Sequence, residues 1–207
     1  MPGKRPDDTP AEKPRPRGRP RTVIDLDAVA DAVAGLVIDG GEKAISIVGA
    51  AERLDVSRAT LYRLVPTKED LVGLMFERAT KHQTEVMSEV VESETSVRDR
   101  LIRLIGMQVE AAVRMRGYMP VFFGGEGLPA EVFQRWHAWS RDFEKTWQDC
   151  VAEAMAEGVL ENADVVTTTR LLLGMCLWVS RWYRAEDGVE IEDIARVAVS
   201  LILPDGA

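Results

Sequence analysis

From Asp25 to Leu203 the apolar residues recur at steps of three and four, and nowhere do they alternate with polar ones over the length of a strand. Such steps put side chains on one face of a helix, whereas a half-buried strand needs period two, so the expected fold class is all-α. Leu26, Val29, Ala30, Val33, Leu36 and Val37 mark a first helix over Leu26–Asp39, stopped by Gly40 and Gly41. Two shorter apolar runs, Ile45–Leu54 and Ser57–Val65, follow at separations that leave room only for tight turns. Beyond them the pattern lengthens. Thr67 to about Val91, Val97–Arg116, Ala130–Glu157, Asp164–Arg184 and Ile191–Leu203 each carry a helical stripe, with a glycine- and proline-rich break at Gly117–Pro129. Thr67, with Asp70 three residues later, predicts a capping box.

A chain of 207 residues, 46% hydrophobic and 29% charged, can bury a core in one or two domains, which excludes a wholly disordered or collagen-like protein. The longest strongly apolar stretch, Leu171–Ser180, is about half the roughly 20 residues of a bilayer span. No apolar signal core opens the sequence, so a cytoplasmic protein with no membrane partner is expected. Cys150 and Cys176 sit in apolar helical patterns without a C-x-x-C or a histidine at ligand spacing, which predicts buried thiols and no metal site. His82 and His137 are isolated. No catalytic residue and no cofactor is therefore assigned, and the chain is not expected to be an enzyme.

The formal charge of −8 opposes a nucleic-acid partner only as an average. Residues 1–82 hold 14 basic and 13 acidic side chains, net +1, while residues 83–207 hold 12 and 21, net −9. The first 24 residues contain seven Lys/Arg, three Asp/Glu and six of the ten prolines, the composition of a disordered basic arm.

As helix, turn, helix, Ile47–Val65 offers Ala50, Leu54, Val56, Leu61 and Leu64 for packing, and the small Ala51 where backbones cross. Ser57 is a good N-cap for the second helix. Left facing outward are Arg58, Ala59, Thr60, Tyr62 and Arg63, donors and a ring suited to base edges and phosphates in a major groove. Lys68, in the first turn of the next helix, opposes the helix dipole unless an anion lies nearby, so it reads as a phosphate contact.

The runs Val56-Ser57-Arg58-Ala59-Thr60-Leu61-Tyr62 and Pro66-Thr67-Lys68-Glu69-Asp70-Leu71 resemble the signature of the TetR family of bacterial transcriptional regulators. The resemblance is close over Asp25 to about Met75 and continues by helix length and order. It implies an N-terminal three-helix domain that binds operator DNA and a larger helical domain that binds a small ligand and dimerises. It implies boundaries at 1–24 for the arm, 25–70 for the helix-turn-helix domain and 71–207 for the ligand domain. By position, Arg58, Thr60 and Arg63 would face bases, and Ser57, Tyr62 and Lys68 phosphates. Two places depart from the family pattern: Asp55 stands where glycine is usual in the turn, and Leu64-Val65 where an aromatic pair is usual. In the arm, Arg15-Pro16-Arg17-Gly18-Arg19-Pro20-Arg21 resembles an AT-hook, with Arg17, Arg19 and Arg21 entering a narrow minor groove; a generic arm on phosphates is the alternative.

Phe133, Trp136, Trp139, Phe143 and Trp147 form one aromatic stripe, Trp178, Trp182 and Tyr183 a second cluster, and Phe122-Phe123 lie in the glycine-rich break. Phe122, Phe123, Trp136, Trp139, Phe143, Trp178 and Trp182 are the candidate pocket residues for a small hydrophobic effector. The stretch Leu177–Arg184, ahead of Gly188, resembles TetR-type repressors of fatty-acid and steroid catabolism, some of which respond to acyl-CoA thioesters. That likeness implies an acyl-CoA or lipid-like effector, its phosphates meeting Arg114, Arg116, Arg181 or Arg184, which otherwise serve as surface ion pairs. The last two helices are apolar on more than one face, as a four-helix interface of a homodimer requires. The expectation is a homodimeric repressor on a pseudo-palindromic double-stranded DNA operator, released by its effector. The alternatives are an architectural DNA-binding protein without an effector and a helical-bundle enzyme.

Overall fold

The structure, a computed structural model, describes residues 24–93, 96–116 and 130–203. Its helices run α1 Leu26–Gly40, α2 Ile47–Arg53, α3 Arg58–Leu64, α4 Lys68–Glu92, α5 Val97–Arg114, α6 Ala130–Ala156, α7 Val165–Trp182 and α8 Ile191–Ile202. Short 3-10 turns occupy Glu42–Ala44 and Ala185–Asp187, and no strand occurs among the described residues. The fold is all-α.

Side-chain caps set most of the starts. Asp25, Ser46, Ser57, Thr67, Ser96 and Asp164 each accept a hydrogen bond from a backbone N–H two or three residues on. At α4 the box closes in both directions. Asp70 N–H donates to Thr67 Oγ1 and Thr67 N–H donates to Asp70 Oδ2, each at 3.0 Å. These caps also explain why α2 and α3 are shorter than their apolar runs: Ser46 and Ser57 stand outside the helices they start. Ile45 precedes its cap yet remains buried. Asp55 takes the left-handed turn position at φ 50°, where its short polar side chain is tolerated.

Two apolar clusters follow. One joins α1, α2, α3 and the first turns of α4 through Val29, Val33, Ala50, Leu61, Val65 and Phe76; α6 reaches it through Val132. The other joins the far part of α4 to α5, α6, α7 and α8, around Leu104, Ile105, Trp147 and Cys176. Helix α4 belongs to both. Gly73 on α4 lets Val132 come close, since a methyl group placed there would stand 3.3 Å from a Val132 methyl. Leu64 corrects an expectation: it is exposed, and Val65 takes its place in the core. Leu61 lies on the buried side of α3, Leu64, the last helical residue, is turned to the rim, and Val65, the extended C-cap just past the helix, is buried. No helix among the described residues is long and apolar enough to cross a membrane.

Candidate nucleic-acid interface and ligand cavity

Helix α3 is pinned from beneath by Leu61, which is wholly buried, and presents the rest of its seven residues outward. Arg58, Ala59, Tyr62 and Arg63 are exposed and Thr60 is half-buried. The polar groups are already engaged within this unit. Arg58 Nη2 donates to Glu52 Oε1 of α2 at 3.2 Å, and Arg63 Nε donates to the Ala59 carbonyl at 3.3 Å. Ser57 Oγ accepts from Thr60 N–H at 3.1 Å and lies 2.6 Å from Thr60 Oγ1. Lys68 is exposed at the start of α4, beside the capping box. Arg58, Tyr62, Arg63 and Lys68 are thus exposed, and Ser57 and Thr60 are tied together at the start of α3. Glu52 escaped the sequence reading, because a glutamate on a short helix carries no signal of which arginine it meets.

The predicted ring set divides. Trp136, Trp139 and Phe143 line a partly open cavity of about 250 Å³, with α4, α5 and α7 supplying the rest of its described lining. Trp139 and Phe143 stack with centroids 4.9 Å apart, and Trp139 Nε1 donates to Thr84 Oγ1 of α4 at 2.9 Å, which fixes the indole against that helix. Trp178 and Trp182 are elsewhere, 64% and 46% exposed, lining an apolar groove of about 700 Å³ between the outer faces of α7 and α8. The phase of α7 accounts for this. Leu173 and Leu177 point into the cavity while Trp178 and Trp182 face outward with Gly174. Phe122, Phe123, Arg17, Arg19 and Arg21 lie outside the described residues. Arg114, Arg116, Arg181 and Arg184 are all exposed; Arg114 pairs with Glu110 at 3.3 Å, and Arg116 lies over the Tyr183 ring at 5.7 Å.

The cavity contains polar residues that the aromatic stripe did not announce. Gln83 of α4 donates to Gln108 of α5 at 3.3 Å, and each is only 5% exposed. Their signal in the sequence was a glutamine interrupting an apolar stripe, between Ala79 and Met87 for one and beside Leu104 and Ala112 for the other. Glu144 also borders the cavity, its carboxylate accepting from Arg170 Nε at 2.8 Å and Gln148 Nε2 at 3.1 Å. Burial pushes the Cys176 thiol up to about 12, and it raises Cys150 against the opposing charge of Arg100. Neither thiol is poised as a nucleophile.

Three cavity residues also serve the other cluster. Met115, Trp136 and Leu177 line the cavity and pack against the cluster that joins α1–α3 to α4 and Val132. These three residues therefore connect the cavity wall to the cluster in which α4 and Val132 meet the three-helix unit. Arg135 of α6 adds an ion pair to Glu77 of α4 at 2.8 Å.

Comparison with known proteins agrees with this two-part arrangement. Residues 94–204 match the family model described as the tetracyclin repressor-like C-terminal domain. No curated protein matches the chain. A TetR/AcrR-family transcriptional regulator from Thermobifida fusca YX-ER1 superimposes with a TM-score of 0.74 at 20% identity, covering 88% of this chain and 98% of that one. AibR in complex with isovaleryl coenzyme A and operator DNA gives 0.74 at 20% identity, covering 86% and 98%. The ketosteroid transcriptional regulator KstR2 of Mycobacterium tuberculosis gives 0.71 at 17% identity, covering 91% and 100%. At these identities the structures establish a shared fold, and the family model spans more than half of the sequence. The chain belongs to the TetR family of transcriptional regulators.

Proposed function

We propose that this protein is a repressor that binds a pseudo-palindromic operator in double-stranded DNA as a homodimer and leaves it when a small hydrophobic effector enters the bundle. The observation that carries the reading is α3: serine-capped, locked from beneath by Leu61, and exposing Arg58, Tyr62 and Arg63 together. A single helix fits the major groove of B-DNA, where arginine recognises guanine edges and threonine methyls meet thymine. In this reading residues 25–70 bind DNA, with Arg58, Thr60 and Arg63 toward bases and Ser57, Tyr62 and Lys68 on phosphates. Residues 1–24 supply Arg17, Arg19 and Arg21 to the adjacent minor groove. Residues 71–207 bind the effector and dimerise.

Dimerisation is supported by the outer face of α7 and α8, where Leu171, Trp178, Val197 and Leu201 are each more than half exposed. Apolar area of that extent on a protein surface marks an interface, and a second copy of the same face would cover it by two-fold symmetry. The symmetry also supplies two copies of α3 for the two half-sites. Effector response is supported by the cavity and by its connection to that cluster. A ligand against Trp136, Met115 and Leu177 bears on the cluster through which α4 holds α1–α3, so occupancy favours a head orientation that fits DNA less well. AibR, a protein of this fold with isovaleryl coenzyme A and operator DNA bound together, supports the same division of labour. The reaction is binding alone, in the cytoplasm, with no covalent step and no catalytic group. An architectural DNA-binding protein would have no use for a cavity bounded by two stacked rings and a buried amide pair.

The test is recovery of genomic DNA fragments on the full-length protein, followed by anisotropy titration of the recovered site. One fragment class is expected to bind as a two-fold site, and Arg58→Ala or Arg63→Ala to weaken it without unfolding the protein. Failure to retain any fragment even at low ionic strength would remove the reading.

A further inference from the structure

The aromatic cavity has a neighbour. A second chamber, of about 220 Å³, lies between α1, α4 and the end of α5, and it shares Gln83 and Met115 with the first. Their linings differ in kind. The described lining of the first holds three rings and no cation, and its one carboxylate, Glu144, is already held by Arg170 and Gln148. The second is bordered by Arg78, Arg114 and His82 against a single carboxylate, Asp31.

Arg78 in the second chamber is incompletely engaged. Arg78 Nε is buried with no hydrogen-bond partner, and the nearest carboxylate oxygens, from Asp31 and Asp27 of α1, stand off at 3.8 and 3.9 Å. Those distances exceed a hydrogen bond, so Arg78 retains capacity for a closer anion. Arg114 Nη1 reaches Glu110 at 3.3 Å on an exposed surface, a weak competitor. Size points the same way. Neither chamber alone reaches the roughly 300–1,000 Å³ of pockets for drug-sized ligands, whereas the two together do. Gln83 and Met115 border both, and Met115 is an unbranched side chain that repacks easily.

We infer that the effector is an amphiphile with one terminal carboxylate. Its apolar body lies on Trp136, Trp139 and Phe143, its chain passes Gln83 and Met115, and its carboxylate meets Arg78 and Arg114. This rests on the effector reading above and makes it specific. Coenzyme A thioesters fit poorly, because their diphosphate and 3′-phosphate carry more negative charge than two arginines offset. The head group also has a direct route to the DNA-binding unit. A carboxylate on Arg78 competes with Asp27 and Asp31, and so loosens the α1–α4 attachment.

The test is calorimetric titration of the full-length protein with octyl to hexadecyl chains bearing a carboxylate, an alcohol, a trimethylammonium or a coenzyme A thioester. The carboxylates are expected to bind at least tenfold more tightly than alcohols or ammoniums of equal length and to release the recovered operator fragment. Arg114→Gln is expected to cost the carboxylate about tenfold and leave the alcohol unchanged. Arg114→Lys is expected to restore part of that loss. Trp136→Leu is expected to weaken carboxylate and alcohol alike. Equal or tighter binding of the ammonium or the thioester overturns the carboxylate assignment and leaves the effector reading standing. Loss in Arg114→Gln without loss in Trp136→Leu overturns the two-chamber pose. If no chain of any head group binds, both the inference and the effector reading at this cavity fall.

Discussion

On α3 the polar side chains stand on the outside of a seven-residue helix, held by neighbours within six residues in sequence, while Gln83 and Gln108 meet inside the bundle across 25 residues. The first arrangement displays its donors and leaves them exchangeable, since water or DNA can replace an exposed ion pair at little cost. The second hides its amides, where each must keep a partner or lose the desolvation energy of a buried polar group. A surface that recognises a large anion from solution and a cavity that encloses a small molecule need these opposite treatments.

The largest expected effects test whether the two regions are mechanically separate. Leu61→Ala empties the centre of the three-helix unit and is expected to cost about 2–5 kcal/mol; Trp147→Ala in the bundle, about 3–5 kcal/mol. Because α4 contributes to both clusters, one cooperative urea transition is expected, shifted by either substitution. Two transitions, each sensitive to only one substitution, would break the comparison by making head and bundle independent. Trp147→Phe is expected to cost less than Trp147→Ala, since it keeps most of the ring and the lost indole N–H had no partner.

Next in size are the exposed arginines. Arg58→Ala and Arg63→Ala are each expected to lose about 1–3 kcal/mol of operator affinity in anisotropy titrations, with stability changed by less than about 0.5 kcal/mol. A stability loss as large as the affinity loss would mean that these side chains hold the fold and read nothing.

Two caps then separate local order from binding. Ser57→Ala and Asp164→Ala each remove a side-chain acceptor from a helix start; Ser57→Ala is expected to cost about 1 kcal/mol in urea denaturation, and Asp164→Ala to lower the urea midpoint as well. Only Ser57→Ala is expected to weaken operator binding as well, because it frays the helix that carries Arg58 and Arg63. The hydrogen bonds from Thr167 hold the Asp164 carboxyl below its usual range, so the contribution of this cap is complete above the ordinary carboxylate range and fades as pH falls through the lowered value. Matched affinity losses in the two variants would show that helix start to be a general stabiliser only.

What was legible in the sequence follows the range of the interactions. Caps at Ser57 and Thr67 and the outward arginines of α3 depend on residues two to four apart, and local spacing predicts them; the turn at Asp55 was marked only by the family resemblance, which has glycine there. The helix order was readable because amphipathic stripes repeat over 12 to 27 residues in the long elements. The cavity was half readable. The step from Trp136 to Phe143 placed those rings on one face, but grouping Trp178 and Trp182 with them required knowing how α7 is rotated against α6. Leu64 failed for a related reason. Where a short helix ends decides between core and rim: Leu64 closes α3 on the exposed side, and the extended C-cap Val65 took the buried place. Gln83 and Gln108 were visible as glutamines on apolar stripes, though their meeting depends on the crossing of α4 and α5.

The smallest expected effect is the most discriminating for the reading surface. Arg58 and Glu52 are 63% and 66% exposed at their side chains, so their pair contributes at most about 1 kcal/mol to folding, and Glu52→Gln is expected to leave the urea midpoint nearly unchanged. Binding should respond differently. Glu52 holds the Arg58 guanidinium, and under the proposed DNA-binding role it would compete for that group and place a negative charge near the phosphates. Removing that charge is expected to tighten both operator and random-sequence DNA by about threefold, roughly 0.6 kcal/mol, with the larger relative gain on random DNA. Specificity should therefore fall as affinity rises. If Glu52→Gln instead weakens the operator alone, Glu52 orients Arg58 for base reading and does not merely compete for it, and the local contacts of α3 are part of the recognition geometry itself.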